Sequence, residues 1–325
     1  MLADAETLRN LSHRIAPLRD LAHRVTLKLF AEIRFAHDVL LASKLGKKAS
    51  TNLGPIHDTI NEQAAANLFA WLKKQGVDGV VPLGGTGEYG SFSQQARIRF
   101  VELAAKAVGG DIPVVPGVLD TGFHDVIGSA RDFANAGADA LLVITPYYTN
   151  PTQMGIRDYF LRYADESAIP ILIYEIPYRT RISIDPAILH ELSSHEKIIG
   201  MKACNTDMYH YLRVLAGVSP SFTVMSGEDS LFPLHVAAGA KGGIVVTANL
   251  FPKIWRHLFE LACSGKTSEA IDFHRKLIPF LDLVGVDAPR VLQPLRAPKP
   301  ELRDTLRKET ERLLQMYELS DLRMS

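Results

Sequence analysis

The run Ile169–Ile176 (IPILIYEI) is short, rich in isoleucine and leucine, and shows no strict alternation of polar residues. A strand of this composition is buried on both faces, as in a parallel sheet that is covered by helices. The run follows a helical pattern at Gln153–Ala168 and precedes another at Asp185–Ser194. It is therefore read as a strand within a repeating strand–helix arrangement.

The same alternation of a short apolar run and a helical segment extends along the chain from about residue 60. Seven strand–helix units in sequence favour a barrel over an open doubly wound sheet. A Rossmann-like sheet is the alternative, but Gly84-Gly85-Thr86-Gly87 lacks the Gly-x-Gly-x-x-Gly spacing that its first turn would prefer. The predicted fold class is α/β, a (β/α)8 TIM barrel. The other six runs are Gly79–Leu83, Pro113–Gly117, Asp139–Thr145, Ile198–Ala203, Phe222–Gly227 and Gly242–Thr247.

The two ends of the predicted barrel are less regular. An eighth strand must precede Asn61, and periodicity does not decide between Val39–Ala42 and Val25–Phe35, which alternates with period two but also fits a helix. Residues 1–38 look mostly helical and are predicted to be an N-terminal extension, with the barrel at 39–251. Residues 252–325 are predicted to be a C-terminal helical region, a three-helix appendage built from Pro252–Cys263, Thr267–Leu283 and Glu301–Tyr317.

Composition excludes several kinds of partner. The 325-residue chain has no net formal charge, so neither nucleic acid nor an anionic membrane surface is an expected partner. Its apolar runs, such as Ala140–Ile144, are too short to span a membrane. Two cysteines, and histidines without ligand spacing, predict no disulfide framework, no metal and no cofactor. The acidic residues near the N-terminus do not fit a secretory signal, so a cytoplasmic location is expected.

Lys202 lies at or near the end of the predicted strand Ile198–Ala203. Functional groups of a TIM barrel gather at the C-terminal ends of its strands. Burial among apolar neighbours would lower the pKa of a lysine, and its neutral amine could then condense with a ketone to give an iminium that serves as an electron sink. From the residue alone, a lysine that reaches solvent at the barrel rim is an equal alternative.

Two other strand ends carry groups that could act with this lysine. Tyr174 could shuttle protons, although a lone tyrosine here also fits a core aromatic residue. Arg179, in the loop that follows, could clamp a carboxylate or simply be solvated. The turn Gly84–Glu88 offers backbone N–H groups and the Thr86 hydroxyl to a carboxylate, and a plain tight turn is its alternative.

Taken together, these motifs resemble the dihydrodipicolinate synthase / N-acetylneuraminate lyase family of class I, Schiff-base pyruvate-dependent aldolases. The resemblance runs from about Asp58 to at least Leu250. It implies a lyase, an aldolase or hydro-lyase, that acts on pyruvate or a related 2-oxo acid. The motifs that carry it are Gly84–Glu88, Thr145–Tyr148, Tyr174–Thr180, Gly200–Lys202, Ser226–Asp229 and Val246–Asn249.

The resemblance also implies a role for each residue of the site. Lys202 would form the imine with pyruvate, Tyr174 would be the proton shuttle, and Thr86 with its neighbouring N–H would hold the pyruvate carboxylate. Arg179 would grip the carboxylate of a second substrate. Tyr148 would reach into the site of a neighbouring subunit, which implies a homodimer or homotetramer. The catalytic set is thus Lys202, Tyr174 and Tyr148, and the substrate-binding set is Gly85, Thr86, Arg179, Gly227 and Ile244, which lines the pyruvate pocket.

Several positions depart from the family pattern. Dihydrodipicolinate synthases carry at position 85 a threonine that links two tyrosines in a proton relay, whereas Gly85 has no hydroxyl. Glu175 stands where the family usually has Asn, and Ala203 where it usually has Glu. The positions that bind feedback lysine in some synthases hold different residues here, so lysine inhibition is not expected: Gln94, Arg97 and Thr121.

Three functions follow from this pattern. The first is a Schiff-base lyase whose substrate is not the lysine-pathway aldehyde, because Gly85 breaks the relay and leaves room for a bulkier molecule. The second is dihydrodipicolinate synthase itself, favoured by Tyr148 and Arg179. The third is a barrel that has lost catalysis and binds a 2-oxo acid.

Overall fold

The computed structural model describes residues 28–32, 60–284 and 300–316. Eight strands form one sheet in the order β2-β1-β8-β7-β6-β5-β4-β3, and every pair in it is parallel. The strands are β1 (Lys28–Glu32), β2 (Gly79–Val81), β3 (Gly117–Val118), β4 (Leu141–Ile144), β5 (Ile171–Glu175), β6 (Ile198–Ala203), β7 (Thr223–Ser226) and β8 (Gly242–Val245).

Hydrogen bonds between β2 and the segment before β3 close this sheet into a ring. The Val80 N–H donates to the Pro113 carbonyl oxygen at 3.0 Å, and the Val115 N–H donates to the Val80 oxygen at 2.9 Å. Val80 and Val114 form a parallel bridge at the same place. The two terminal strands of the sheet are therefore joined, and the predicted (β/α)8 barrel is confirmed.

The first strand is β1, which lies between β2 and β8. Phe30–Glu32 pairs with Gly79–Val81, and Lys28–Ala31 pairs with Gly242–Val245. The predicted barrel start at residue 39 is therefore wrong, because the barrel already includes a strand inside the stretch 1–38. A run of this composition becomes a strand when neighbouring strands supply its hydrogen bonds, which local periodicity cannot reveal. The other candidate, Val39–Ala42, and the rest of the predicted helical extension lie outside the described residues.

Helices cover the outside of the ring between successive strands. They are α1 (Glu62–Lys74), α2 (Gln94–Val108), α3 (Phe123–Asn135), α4 (Gln153–Glu166), the single turn α5 (Pro177–Thr180), α6 (Pro186–Leu192), α7 (Met208–Leu215) and α8 (Phe232–Ala238). Side-chain oxygens accept backbone N–H groups at several of their starts, which satisfies donors that a helix leaves unpaired. These caps are Asn61, Ser93, Thr152, Asp185 and Asp207.

Within residues 246–284 and 300–316, four further helices follow β8: α9 (Pro252–Cys263), α10 (Thr267–Arg275), α11 (Ile278–Val284) and α12 (Pro300–Met316). Helix α9 packs against α8 and β1, so it completes the eighth strand–helix unit of the ring. The predicted helix Thr267–Leu283 is two helices, because Pro279 has no N–H to bond the carbonyl oxygen four residues earlier. The predicted three-helix appendage is therefore wrong in its number of helices and in assigning α9 to it.

Strands β2 to β8 are buried on both faces, as their composition indicates. One apolar cluster fills the barrel interior, and a larger one lies between the strands and the helices. Because side chains alternate along a strand, Tyr174 belongs to the interior cluster and its neighbour Ile173 to the outer one. Among the described residues, no helix is long and apolar enough to cross a bilayer.

Candidate active site

Tyr174 and Lys202 lie opposite each other on neighbouring strands β5 and β6. Each is only 2% exposed, and the side-chain nitrogen of Lys202 lies 4.6 Å from the centre of the Tyr174 ring. Thr145, just after β4, fixes the backbone of Tyr174 because its N–H and its hydroxyl donate to the Tyr174 carbonyl oxygen at 2.9 and 3.0 Å. A buried amine and a buried phenol thus face each other on rigid strands.

Gly227, just after β7, provides the space that the Lys202 side chain occupies. Its N–H donates to the Ala203 carbonyl oxygen at 2.8 Å, which ties the ends of β6 and β7 together. A methyl group at Gly227 would lie 2.8 Å from both Cγ and Cε of Lys202 and would also clash with the sulfur of Cys204. No side chain fits here unless the lysine moves, so the predicted residue Gly227 lies at the site.

The turn after β2 reaches the same end of the barrel. A methyl group at Gly85 would lie 3.3 Å from the Tyr174 hydroxyl and 4.0 Å from Nη1 of Arg179. Leu83 and Glu88, on either side of the turn, have left-handed backbone angles (φ 61° and 58°), a conformation that residues other than glycine seldom adopt. Strain of this kind is concentrated at functional sites, and here it shapes the turn that presents Thr86.

Glu228 joins the site from the loop after β7. Its carboxyl accepts a hydrogen bond from Tyr178 and lies in the field of Lys202 and Arg179. Burial, followed by the negative charge of Asp229, nevertheless raises the pKa of Glu228 to about 7. The carboxyl can therefore gain or lose a proton near neutral pH, as a general acid or base must.

Asp229 anchors the loop that carries Glu228. Its carboxylate accepts the Val246 N–H at 3.1 Å and, from Thr247, the N–H at 3.0 Å and the hydroxyl at 2.6 Å. Its carbonyl oxygen accepts from Nε2 of His274, on α10, at 2.7 Å. The loop is thus held both by the segment after β8 and by the C-terminal helices.

The remaining predicted site residues lie in different surroundings. Ile244, on β8, is fully buried in the interior cluster together with Tyr174. Tyr148 is 87% exposed and has a left-handed backbone angle (φ 71°). The structure therefore brings Lys202, Tyr174, Gly85, Thr86, Arg179, Gly227 and Ile244 to one end or the interior of the barrel, whereas Tyr148 lies on the surface of the chain.

Three residues at the site were not selected from the sequence. Glu228 and Tyr178 lie in two of the motifs that carry the family resemblance, but only their neighbours Gly227 and Arg179 were assigned a function. Cys204 is 1% exposed and follows Lys202 by two residues, so the period of two places both side chains on one face. The charge partners of Glu228 become visible only after the loops are placed in space.

Metal-binding groups are absent from the part of the chain that the structure describes. No group of three or more His, Cys, Asp or Glu residues there could hold an ion.

Comparison with known proteins agrees with this geometry. The model of the Dihydrodipicolinate synthetase family matches residues 55–297. The chain is 34% identical over 221 residues to the 4-hydroxy-tetrahydrodipicolinate synthase of Thermodesulfovibrio yellowstonii, covering 68% of this chain and 76% of that one. It is also 34% identical over 230 residues to the enzyme of the same name from Acidiphilium cryptum, covering 70% and 79%.

Solved structures show the same likeness. The dihydrodipicolinate synthase of Aquifex aeolicus superimposes with a TM-score of 0.77 at 26% identity, covering 90% of this chain and 98% of that one. The 4-hydroxy-tetrahydrodipicolinate synthase of Methylacidiphilum fumariolicum superimposes with a TM-score of 0.76 at 26% identity, covering 82% and 96%. The chain belongs to the dihydrodipicolinate synthetase family of class I, Schiff-base lyases.

Proposed function

We propose that Lys202 forms an imine with pyruvate or a related 2-oxo acid, and that the chain is an aldolase or hydro-lyase of that substrate. The observation that carries this proposal is the buried pair of Lys202 and Tyr174, with the lysine nitrogen 4.6 Å from the tyrosine ring centre. A lysine held in this way is poised to attack a ketone carbonyl.

The proposed chemistry balances with the residues present. The Lys202 amine attacks the C2 carbonyl, and loss of water gives the imine. Removal of a C3 proton converts the imine to an enamine, which adds to an aldehyde in the aldol direction or expels a β-hydroxyl group in a dehydratase. Hydrolysis then releases the product and restores the amine. Tyr174 moves the protons, and the Gly85–Thr86 turn holds the carboxylate of the 2-oxo acid.

For the second substrate, we propose a molecule other than the lysine-pathway aldehyde. Gly85 presents no hydroxyl to the Tyr174 hydroxyl, and the absence of a Cβ there relieves what would be a tight contact of 3.3 Å with it. Glu228 and Tyr178 add a proton donor and acceptor beside Arg179. This set suits a substrate that carries both a carboxylate and further hydroxyl groups.

Dihydrodipicolinate synthase itself is the second candidate. The relatives from Thermodesulfovibrio yellowstonii and Acidiphilium cryptum carry the name 4-hydroxy-tetrahydrodipicolinate synthase. Arg179 lies beside Gly85, as a residue that grips the carboxylate of the second substrate should. A non-catalytic barrel that binds a 2-oxo acid is the third candidate, and it differs from both in lacking turnover.

Borohydride trapping with pyruvate, read by intact mass, tests the imine. The wild type should gain the mass of one reduced pyruvyl group, and Lys202→Ala should gain none. An unmodified wild type, or an equal adduct in Lys202→Ala, would contradict the imine. Turnover of a panel of hydroxylated aldehydes and sugar acids, beside aspartate semialdehyde, then separates the candidates, because fast condensation of aspartate semialdehyde would favour the synthase.

We further propose that the enzyme is a homodimer or homotetramer in which Tyr148 contacts a second copy. Its 87% exposure supports this, because a tyrosine ring on the surface is available for burial when a second copy docks, and tyrosine is enriched at protein interfaces. Sedimentation of the wild type and of Tyr148→Ala tests it. The cytoplasmic location and the independence from metals and cofactors stay predictions.

A further inference from the structure

Glu175, next to Tyr174 at the end of β5, has a fully buried side chain. Tyr174 belongs to the interior cluster, so the alternation along the strand directs Glu175 toward the surrounding helices. A buried carboxylate is costly unless donors or a positive group surround it. Its contacts therefore indicate what it does.

A single oxygen of Glu175 makes these contacts. Oε1 accepts the Ser183 hydroxyl at 2.9 Å and the Ile184 N–H at 3.0 Å. Nε2 of His210, on α7, lies 3.3 Å from the same oxygen. The other oxygen, Oε2, has no hydrogen-bond partner among the described residues. A buried charged cluster of this kind can often be replaced by well-packed apolar residues without loss of stability. The role of Glu175 is therefore sought in the segments that it holds in place, and not in the stability of the fold.

The loop that Glu175 closes carries Arg179. The chain leaves β5 at Glu175, forms the single turn α5, and returns to Ser183 and Ile184. One carboxylate oxygen joins the ends of this short loop, which reduces its freedom to shift. The Thr180 hydroxyl, 3.1 Å from the Ile176 and Ile182 carbonyl oxygens, adds a second brace within the loop. The bonds of Glu175 thus help to place the backbone that carries Arg179.

The segment after Lys202 holds the same loop from the other side. The Asn205 side-chain amide donates to the Ser183 hydroxyl oxygen at 3.0 Å. Asp207 caps α7 and accepts the His210 N–H at 3.2 Å, which fixes the helix turn that carries His210. Glu175 thus lies where the two segments that follow β5 and β6 meet.

We propose that Glu175 is a positioning residue for Arg179, acting on the binding of the second substrate's carboxylate and not on imine formation at Lys202. This inference rests on the proposed function, in which Arg179 grips that carboxylate. The Arg179 guanidinium reaches to within 4.0 Å of a methyl position on Gly85, so a shift of the loop would withdraw it from the site. Lys202 is held by strands β5 to β7 and does not depend on this loop.

The test uses the full chain after reduction of its pyruvate adduct, with succinic semialdehyde as the carboxylate probe and calorimetry as the measurement. Glu175→Ala should weaken probe binding about tenfold, because buried donors lose their acceptor. Glu175→Gln keeps an oxygen at the same place and should restore most of the affinity. The adduct yield with pyruvate, measured by intact mass, should change less than about twofold in Glu175→Ala, since the substitution keeps the backbone pairing of β5 with β6 and the side chain of Glu175 lies on the opposite face of β5 from Tyr174.

A double-mutant cycle shows whether the effect passes through Arg179. Glu175→Ala/Arg179→Ala should bind the probe no more weakly than Arg179→Ala alone, since residues that act as a unit are not additive. Should Glu175→Ala not fold, Ser183→Ala removes one donor of the same cluster from an exposed position, and it should weaken binding severalfold.

The outcomes separate this proposal from the proposed function. A wild type without a pyruvate adduct contradicts the proposed function and this inference together. An adduct that does not bind the probe contradicts the grip of Arg179 on a second carboxylate, and with it this inference. Unchanged affinity in Glu175→Ala or its substitute Ser183→Ala, or fully additive losses with Arg179→Ala, contradict only the role of Glu175. Equal loss of adduct yield and probe affinity in Glu175→Ala would assign Glu175 to the Lys202 environment and overturn its role through Arg179.

Discussion

Lys202 and Tyr174 are register partners on adjacent strands, and the lysine nitrogen lies 4.6 Å from the centre of the tyrosine ring. Each residue lies on a strand that is hydrogen-bonded to a neighbouring strand on both sides. The distance between the two side chains therefore does not depend on a loop. Catalytic groups placed on strands are held more precisely than groups placed on loops. The proposed imine-forming lysine and the proposed proton shuttle therefore share one rigid frame.

Tyr174→Phe removes the hydroxyl and leaves the buried ring in place. We expect turnover to fall by about 10²–10⁴-fold, because a positioned acid–base group contributes that much. Pyruvate should still be trapped on Lys202 at long times, although more slowly. Single-turnover rates and the final adduct mass measure the two effects, and thermal unfolding serves as the control for packing. An unchanged turnover rate would remove Tyr174 from the mechanism.

Gly227→Ala adds a methyl group against the Lys202 side chain. Overpacking of this kind lowers the free energy of unfolding by about 1–3 kcal/mol. Here the added methyl group collides with the side chain of the proposed nucleophile. We expect the rate of imine formation, followed by borohydride trapping, to fall at least about tenfold as the lysine is displaced, which corresponds to about 1.4 kcal/mol.

Gly217→Ala is the matched control for this change. Its methyl group would collide with the ring of His190, and neither Gly217 nor Gly227 has a left-handed backbone angle. Both variants should lose stability, measured by denaturant unfolding, but only Gly227→Ala should lose imine formation. Equal trapping rates in the two variants would show that Gly227 does not set the position of the lysine.

The sequence predicts the pair of residues on the strands of the site, but not the first strand of the barrel or the carboxyl group that the loops bring to the site. Tyr174 and Lys202 lie at the ends of consecutive parallel strands, so the order of the elements along the chain already makes them neighbours. The strand β1 lies within Val25–Phe35, one of the two candidates, but periodicity could not choose between them because Lys28–Glu32 owes its conformation to β2 and β8, which are distant in the sequence. Glu228 could not be selected for a related reason, since its pKa depends first on burial and then on the charges of Asp229, Lys202 and Arg179, which come together only when the loops after β5 and β7 meet the end of β6.

Glu228→Gln should change the pH dependence of second-substrate use. Because burial raises the pKa of Glu228 to about 7, the carboxyl is neutral and can donate a hydrogen bond at lower pH, and it is ionised at higher pH. The ionised form repels a substrate carboxylate, so this group lowers kcat/KM as the pH rises through about 7. Glutamine stays neutral and keeps a donor.

The ratio of wild-type to variant kcat/KM, measured from pH 5.5 to 8.5, isolates this contribution from the titration of other groups. The ratio should fall through an inflection near the pKa of Glu228, about 7, and a flat ratio would contradict the role of Glu228. The free energy of unfolding of the wild type, relative to that of Glu228→Gln, should also fall as the pH rises. The folded pKa is raised above the ordinary value of 4.5, so the wild type loses stability relative to Glu228→Gln as the pH rises through about 7.

Gly85→Thr tests whether this position decides between the two enzymatic candidates. The added Cβ would lie 3.3 Å from the Tyr174 hydroxyl, and the threonine hydroxyl could form a hydrogen bond with it, while the space beside Arg179 becomes smaller. We expect condensation of pyruvate with aspartate semialdehyde to rise at least about tenfold over the wild type, as a new acid–base contact forms. Turnover of a bulkier hydroxylated acceptor should fall in the same variant.

Gly85→Ala separates the hydroxyl from the added volume. It fills the same space without a donor, so it should lower use of the bulky acceptor as Gly85→Thr does, but it should not improve use of aspartate semialdehyde. Gly85 does not have a left-handed backbone angle, so neither variant strains the backbone of the turn, and both place the same Cβ 3.3 Å from the Tyr174 hydroxyl, a tight contact that the two variants share. If the wild type already condenses aspartate semialdehyde rapidly and Gly85→Thr adds nothing, the missing hydroxyl is not a barrier. The chain is then a dihydrodipicolinate synthase that moves its protons by another route.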